Sequence, residues 1–144
     1  LSRGLGDVYK RQYKDRLISP YHPKQIFVYE GDNDIGYQWT PDEILEQIKR
    51  LFFILRKEKP EAEIIFISIK PSVRRLKDKE RIEQTNALIK EFVEQQMNTA
   101  YADVYNPMFT PKGELFPEHY REDGLHLTAE GYAVWKEVIS KYIK

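Results

Sequence analysis

The sequence contains no cysteine, which excludes disulfides, thiol nucleophiles and cysteine-based zinc centres. It also lacks an excess of either charge. Its 23 basic residues are matched by 23 acidic ones, so it has no electrostatic footprint for nucleic acid or another polyanion. Long hydrophobic runs are missing as well. The longest apolar stretches, such as 51–55 and 64–67, fall far short of the ~20 residues that a membrane-spanning helix needs. No internal repeat or low-complexity tract is visible. What remains is 144 residues with 41% apolar content, enough material for one domain with a buried core.

Residues 1–12, LSRGLGDVYKRQ, have neither a hydrophobic period nor a helix cap. They read as a translated linker or scar, with a frayed native terminus as the alternative, so the domain is taken as residues 13–144. Tyr13 to Leu17 suits the tail of a helix, and the two prolines of Ile18–Pro23 make a loop. Ile26–Glu30 is a nearly continuous apolar run, as in a buried parallel strand. Thr40-Pro41-Asp42-Glu43 combines a cap, a proline at the first helical position and a capping box. Ile44, Ile48, Leu51, Phe52 and Leu55 then mark the buried face of that helix. Glu63–Ile69 predicts a second strand, and Asp78 to about Met97 a second helix with Ile82, Ile89, Phe92 and Val93 inward. Ala102–Tyr105 reads as a third strand, Asn106–Tyr120 as a loop. Thr128 caps a last helix whose expected inner face is Tyr132, Trp135, Val138, Ile139 and Tyr142. Strands alternating with helices predict an α/β domain with a parallel sheet.

In such sheets, chemistry collects at the C-terminal ends of the strands. Gly31-Asp32-Asn33-Asp34 stands at one such end, and the loop carrying Asp123 and His126 follows another. Imidazole titrates near neutrality and suits a general base, and a carboxylate three residues away can fix its tautomer. Asn33 has a side-chain amide fit to stabilise an oxyanion, and Gly31 lets backbone approach a ligand closely. Each feature also has a plain structural explanation, since Gly, Asp and Asn are ordinary turn residues. Asp32 and Asp34 could instead bind a cation, although no further carboxylate cluster supports that. His22 and His119 read as loop surface, the aromatics as core, and the charged run Arg74–Arg81 as a solvated face, with an acidic-substrate site as the weaker alternative.

Taken together, Val28-Tyr29-Glu30-Gly31-Asp32-Asn33-Asp34 and Asp123-Gly124-Leu125-His126-Leu127 resemble the SGNH hydrolases, the GDSL-type esterases and lipases. Gly31, Asn33 and Asp34 match the G-x-N-D block, and Asp123 and His126 match the D-x-x-H block. Phe66–Ser72 looks like the family's fourth strand. The resemblance implies a flavodoxin-like three-layer α/β/α fold of strand order 2-1-3-4-5. It also implies ester hydrolysis through an acyl-enzyme, with a serine attacking, His126 taking its proton, Asp123 orienting His126 and Asn33 completing the oxyanion hole. Neither metal nor cofactor is implied. The expected ligand is a small ester, acyl or acetylated carbohydrate.

One departure stands out: the G-D-S block that carries the nucleophile is absent. Gly4 and Gly6 mimic the R-G-x-G context of a second oxyanion donor but lie in the segment set aside. Ser2, Ser19, Ser68, Ser72 and Ser140 lack the strand-to-helix elbow that presents a nucleophile, Ser72 being the least unsuitable. The chain thus reads as the C-terminal part of an esterase, without the first two strands and expected to be inactive alone. The alternative is a non-catalytic α/β binding module that has lost its serine. Without those strands, Ile26–Glu30 becomes an apolar sheet edge, which invites pairing with a second copy. Sedimentation velocity at micromolar concentration should therefore detect species larger than the monomer. A single monomeric boundary with cooperative unfolding is the contrary result.

Overall fold

The computed structural model describes residues 24–144. The expectations for residues 1–12, Tyr13–Leu17 and Ile18–Pro23, and for Ser2, Gly4, Gly6, Ser19 and His22, lie outside the described residues.

Strand β1 (Gln25–Val28) leads through Gly31 into a short helix α1 (Asp32–Gly36). Helix α2 (Pro41–Glu58) starts as its sequence predicts. The Thr40 hydroxyl accepts from the Glu43 amide at 3.1 Å, and the Glu43 carboxylate accepts from the Thr40 amide at 3.0 Å. Its five expected core residues, Ile44, Ile48, Leu51, Phe52 and Leu55, are all buried. Strand β2 (Glu63–Ile67), helix α3 (Lys79–Glu94), strand β3 (Thr99–Ala102) and helix α4 (Ala129–Ser140) complete the order.

The strands run parallel in the order β1-β2-β3, with Val28 opposite Phe66 and Phe66 opposite Tyr101. Among the described residues, β1 pairs with β2 alone. Because side chains alternate along a strand, Ile26, Val28, Ile64, Phe66 and Tyr101 share one face and pack with the inner faces of α2 and α3. The other face meets the chain just after α4. The Gln25 amide donates to the Tyr142 carbonyl at 2.6 Å, and Lys144 lies 3.5 Å from Glu63. Two helices thus cover one face of the parallel sheet and the segment following α4 meets the other, a flavodoxin-like α/β architecture.

Two expectations about the elements need correction, and one short helix has no counterpart among them. The third strand lies three residues upstream of Ala102–Tyr105. Asn98 adopts a left-handed conformation (φ 55°), which ends the helical stretch early and starts the strand at Thr99. Asp103 then accepts from the Tyr105 and Asn106 amides, so the chain turns out of the sheet where continued strand was expected. Tyr132, assigned to the inner face of the last helix, is 54% exposed, while Gly131 is the buried residue of that turn. Gly131 fits closely under the His119 carbonyl, and that contact sets which side of the helix faces inward. Helix α1 has no periodic signal, because five residues are too few to show one.

Beyond β2 the chain continues as Ser68–Arg75, a segment outside the sheet ladder with its own partners. Asn86, 6% exposed on α3, accepts from the Ile69 amide and donates to the Ile69 carbonyl, both at 2.9 Å. The Ser68 hydroxyl accepts from the Val104 amide at 2.9 Å. Replacing Asn86 with Ala strands both Ile69 backbone groups in the core. Asn86→Ala should cost about 3 kcal/mol, read as a lower urea midpoint at unchanged slope.

Candidate active site

Both motif blocks are docked on the segment that follows β2. Gly31 has φ 109°, and a Cβ there would meet Ile69 Cδ1 at 2.8 Å, so only glycine both turns the chain and leaves room for Ile69. The next residue, Asp32, is a buried carboxylate with a full set of partners. Lys70 Nζ lies 2.6 Å from Oδ2, Arg75 Nε 2.9 Å from Oδ1, and the Tyr29 hydroxyl donates to Oδ2 at 2.8 Å. Burial alone disfavours the charge on Asp32. The Lys70 ammonium and the hydrogen bonds from Lys70, Arg75 and Tyr29 outweigh it and hold the carboxyl below its ordinary value. Burial and the Asp32 charge push the Tyr29 phenol well above its usual value, so it stays a donor. With both oxygens engaged by cations, Asp32 is not presented to a metal ion, and the Asp32/Asp34 cation alternative loses its first ligand. Asn33 follows on the first turn of α1, solvent-exposed, its side chain making no hydrogen bond to a described residue.

The second block is a tight turn. The Gly124 amide donates to the Arg121 carbonyl at 2.8 Å, and Gly124 itself is left-handed at φ 67°. Asp123 Oδ1 accepts from the Leu125 and His126 amides, each at 2.9 Å, and Oδ2 faces His126 Nδ1 at 2.5 Å. One carboxylate therefore builds the turn and orients the ring. Because the carboxylate accepts, Nδ1 carries the proton, and in the neutral ring Nε2 is the atom with the free lone pair. The His126 side chain is 67% exposed, open to an incoming group. Its hydrogen bond, with those from the two backbone amides, lowers the Asp123 carboxyl far below its ordinary value. The turn is anchored to the segment after β2, since the Arg74 amide donates to the Gly124 carbonyl at 2.9 Å. The Tyr120 hydroxyl donates to the Pro71 carbonyl at 2.8 Å nearby.

The described serines are committed elsewhere. Ser68 is wholly buried on the Val104 amide. Ser72 is 1% exposed and accepts from the Arg75 amide, and Ser140 donates to the Glu137 carbonyl on α4. Arg74–Arg81 is not simply a solvated face. Arg75 is drawn to Asp32, and Arg81 holds Asp78 and the Ile35 and Trp39 carbonyls, because α1 leaves polar groups there that need partners. His119 is half-buried against Phe116, its Nδ1 unpartnered among the described residues, instead of lying on the loop surface. Tyr29, Lys70, Arg75 and Asn86 escaped the sequence reading. The cations that neutralise Asp32 lie about 40 residues downstream, in the stretches Phe66–Ser72 and Arg74–Arg81, whose spacing carries no signal of that pairing.

The sequence pattern of the GDSL-like lipase/acylhydrolase family matches residues 4–134. The chain belongs to this family. The family is one of ester hydrolases, and the matched span includes both the Gly31–Asp34 and the Asp123–His126 blocks. The chain is 24% identical over 98% of its length to an N-acylneuraminate cytidylyltransferase from Escherichia coli O18:K1:H7, of which it spans 34%. A Streptococcus pneumoniae protein described as a platelet activating factor is 26% identical with a TM-score of 0.74, over 83% of this chain and 59% of that one. A carbohydrate esterase family 3 protein from Talaromyces cellulolyticus shares the fold at 19% identity and a TM-score of 0.71, over 92% of this chain and 65% of that one. The chain therefore spans about a third of the curated relative it matches and under two thirds of the first solved one.

Asp32 and Asp123 set the acid behaviour of this GDSL-family chain. Each carboxyl is lowered by folding, so each stabilises the fold above the ordinary carboxylate range, about pH 3.9. That contribution fades as pH falls through the lowered folded value. Asp32→Asn strands Lys70 and Arg75 and should destabilise the protein by about 3–5 kcal/mol at neutral pH. In acid, where wild-type Asp32 is itself protonated, the gap between the two proteins should close. Urea unfolding of both proteins across this range measures it.

Proposed function

We propose that this chain carries the base, its orienting carboxylate and one oxyanion donor of a serine ester hydrolase. The observation behind the reading is the Asp123–His126 turn, in which the carboxylate fixes the Nδ1–H tautomer and leaves Nε2 on an exposed ring. The assigned reaction is transfer of an acyl group to a serine and then to water. His126 Nε2 takes the serine proton as the hydroxyl oxygen bonds to the ester carbonyl carbon. Its imidazolium then gives that proton to the departing alcohol, and water repeats the sequence to free the acid. Asn33 donates its side-chain amide to the oxyanion. Gly31, Asp32 and Asp34 shape the loop that presents it.

The nucleophile is proposed to come from outside residues 24–144, since Ser68, Ser72 and Ser140 are all engaged in structural hydrogen bonds. Without that nucleophile, residues 24–144 should turn over little or nothing. The substrate is proposed to be a small acyl ester or an acetylated carbohydrate. The likeness to a carbohydrate esterase favours the latter, though it reaches this chain only through a shared fold. The same committed serines also favour the second reading, a non-catalytic α/β ligand-binding module that has lost its serine.

In the protein bearing its native upstream sequence, His126→Ala should lower hydrolysis of a short-chain chromogenic ester by about 10³-fold or more, and Asn33→Ala by about 10²-fold. No turnover in that protein would favour the binding module. Turnover by residues 1–144 that vanishes in His126→Ala would instead mean that a serine of this chain is the nucleophile.

A further inference from the structure

We infer that Arg75 is a positioning residue that couples the Asn33 loop to the Asp123–His126 turn. The inference rests on the reading of those two loops as one site, and it concerns how they are kept in register. Arg75 reaches Asp32 Oδ1 through Nε at 2.9 Å, with its side chain only 11% exposed. Its guanidinium continues over the far end of α1, where a Cβ at Gly36 would meet Nη1 at 2.6 Å. One side chain thus spans α1 from Asp32, beside Asn33, to Gly36.

The preceding residue grips the other loop. The Arg74 amide donates to the Gly124 carbonyl, and the Gly124 Cβ position lies 3.3 Å from Val73 Cβ. The turn joining these contacts is stiff, because the Arg75 amide donates to both the Ser72 carbonyl and the Ser72 hydroxyl, each at 3.2 Å. Adjacent residues of one tight turn therefore hold the oxyanion-donor loop by a side chain and the base-bearing turn by a backbone amide. Lys70 meets the same carboxylate but makes no hydrogen bond or ion pair to residues 121–127 among the described residues, so it neutralises Asp32 without linking the loops. The division of labour gives the two cations different expected phenotypes.

Amide exchange and side-chain nitrogen NMR on the chain separate them without any need for turnover. Arg75→Met leaves Lys70 to neutralise Asp32, so the spectrum should stay dispersed. Exchange at the Arg74 amide should then accelerate about tenfold or more, with the His126 ring nitrogens and the Asn33 side-chain amide shifting together. Lys70→Met should shift the Asn33 amide and leave Arg74 exchange and the His126 ring unchanged. Gly36→Ala, which crowds the guanidinium without altering charge, should act like a weaker Arg75→Met. Arg75→Lys should restore part of the Arg74 protection. The coupling is wrong if Arg75→Met in a folded protein leaves Arg74 and His126 unmoved, or if Lys70→Met affects them equally. If Arg75→Met does not fold, Gly36→Ala decides by the same readouts. Should the ester assay fail while these shifts appear, the coupling stands and the hydrolase reading falls.

Discussion

The buried carboxylate of Asp32 is the constraint on which the site depends. A lone charge so largely withdrawn from solvent would be costly, because little water is left to solvate it. Lys70, Arg75 and Tyr29 surround it instead, and each comes from a different part of the chain's path around the sheet ends. Tyr29 closes β1, Lys70 follows β2, and Arg75 belongs to the turn that faces the last loop. Satisfying one carboxylate therefore fixes three pieces of backbone relative to one another. Such a cluster adds little net stability over an apolar equivalent, but it tolerates few alternative arrangements.

That rigidity matters because the residues assigned to chemistry lie on the surface. Asn33 and His126 are exposed and lack the packing that normally holds a side chain in place. Their geometry is set from beneath. Asn33 rides on a short helix begun by Gly31 over Ile69, with Asp32 clamped beside it. His126 rides on a turn closed by its own Asp123 and tied to Arg74. Buried scaffolding with exposed chemical groups suits a site that must admit a substrate while keeping its donors aimed. Asn86 extends the scaffolding into α3, since its side chain replaces the ladder partner that Ile69 lacks beyond the strand.

Membership of the GDSL-like lipase/acylhydrolase family and the arrangement of the two blocks agree about the class of chemistry. They divide over its completeness. The proposed base His126 and its carboxylate Asp123 meet within residues 24–144, whereas the serines there make structural hydrogen bonds. Ser68 and Ser72 flank the Ile69–Pro71 stretch: Ser68 ties it to the Val104 amide, and Ser72 closes the turn that carries Arg74 and Arg75.

The amino-acid sequence by itself determined the alternation of strands and helices, the capping box at Thr40, the buried face of α2 and the pairing of Asp123 with His126. All of these are local, written in spacings of three or four residues or in short apolar runs. Tertiary structure alone decided what Asp32 does. Its partners are distant in the chain, and a carboxylate in a G-x-N-D loop looks the same whether it meets water, a metal or two buried cations. The same holds for the displaced third strand and for exposed Tyr132. Asn98 and Asp103 could have fitted several turns, and the face of α4 was chosen by Gly131 against the His119 carbonyl. Local periodicity specifies that an element exists. Long-range pairing of charges and close contacts specify where it ends and which side it turns inward.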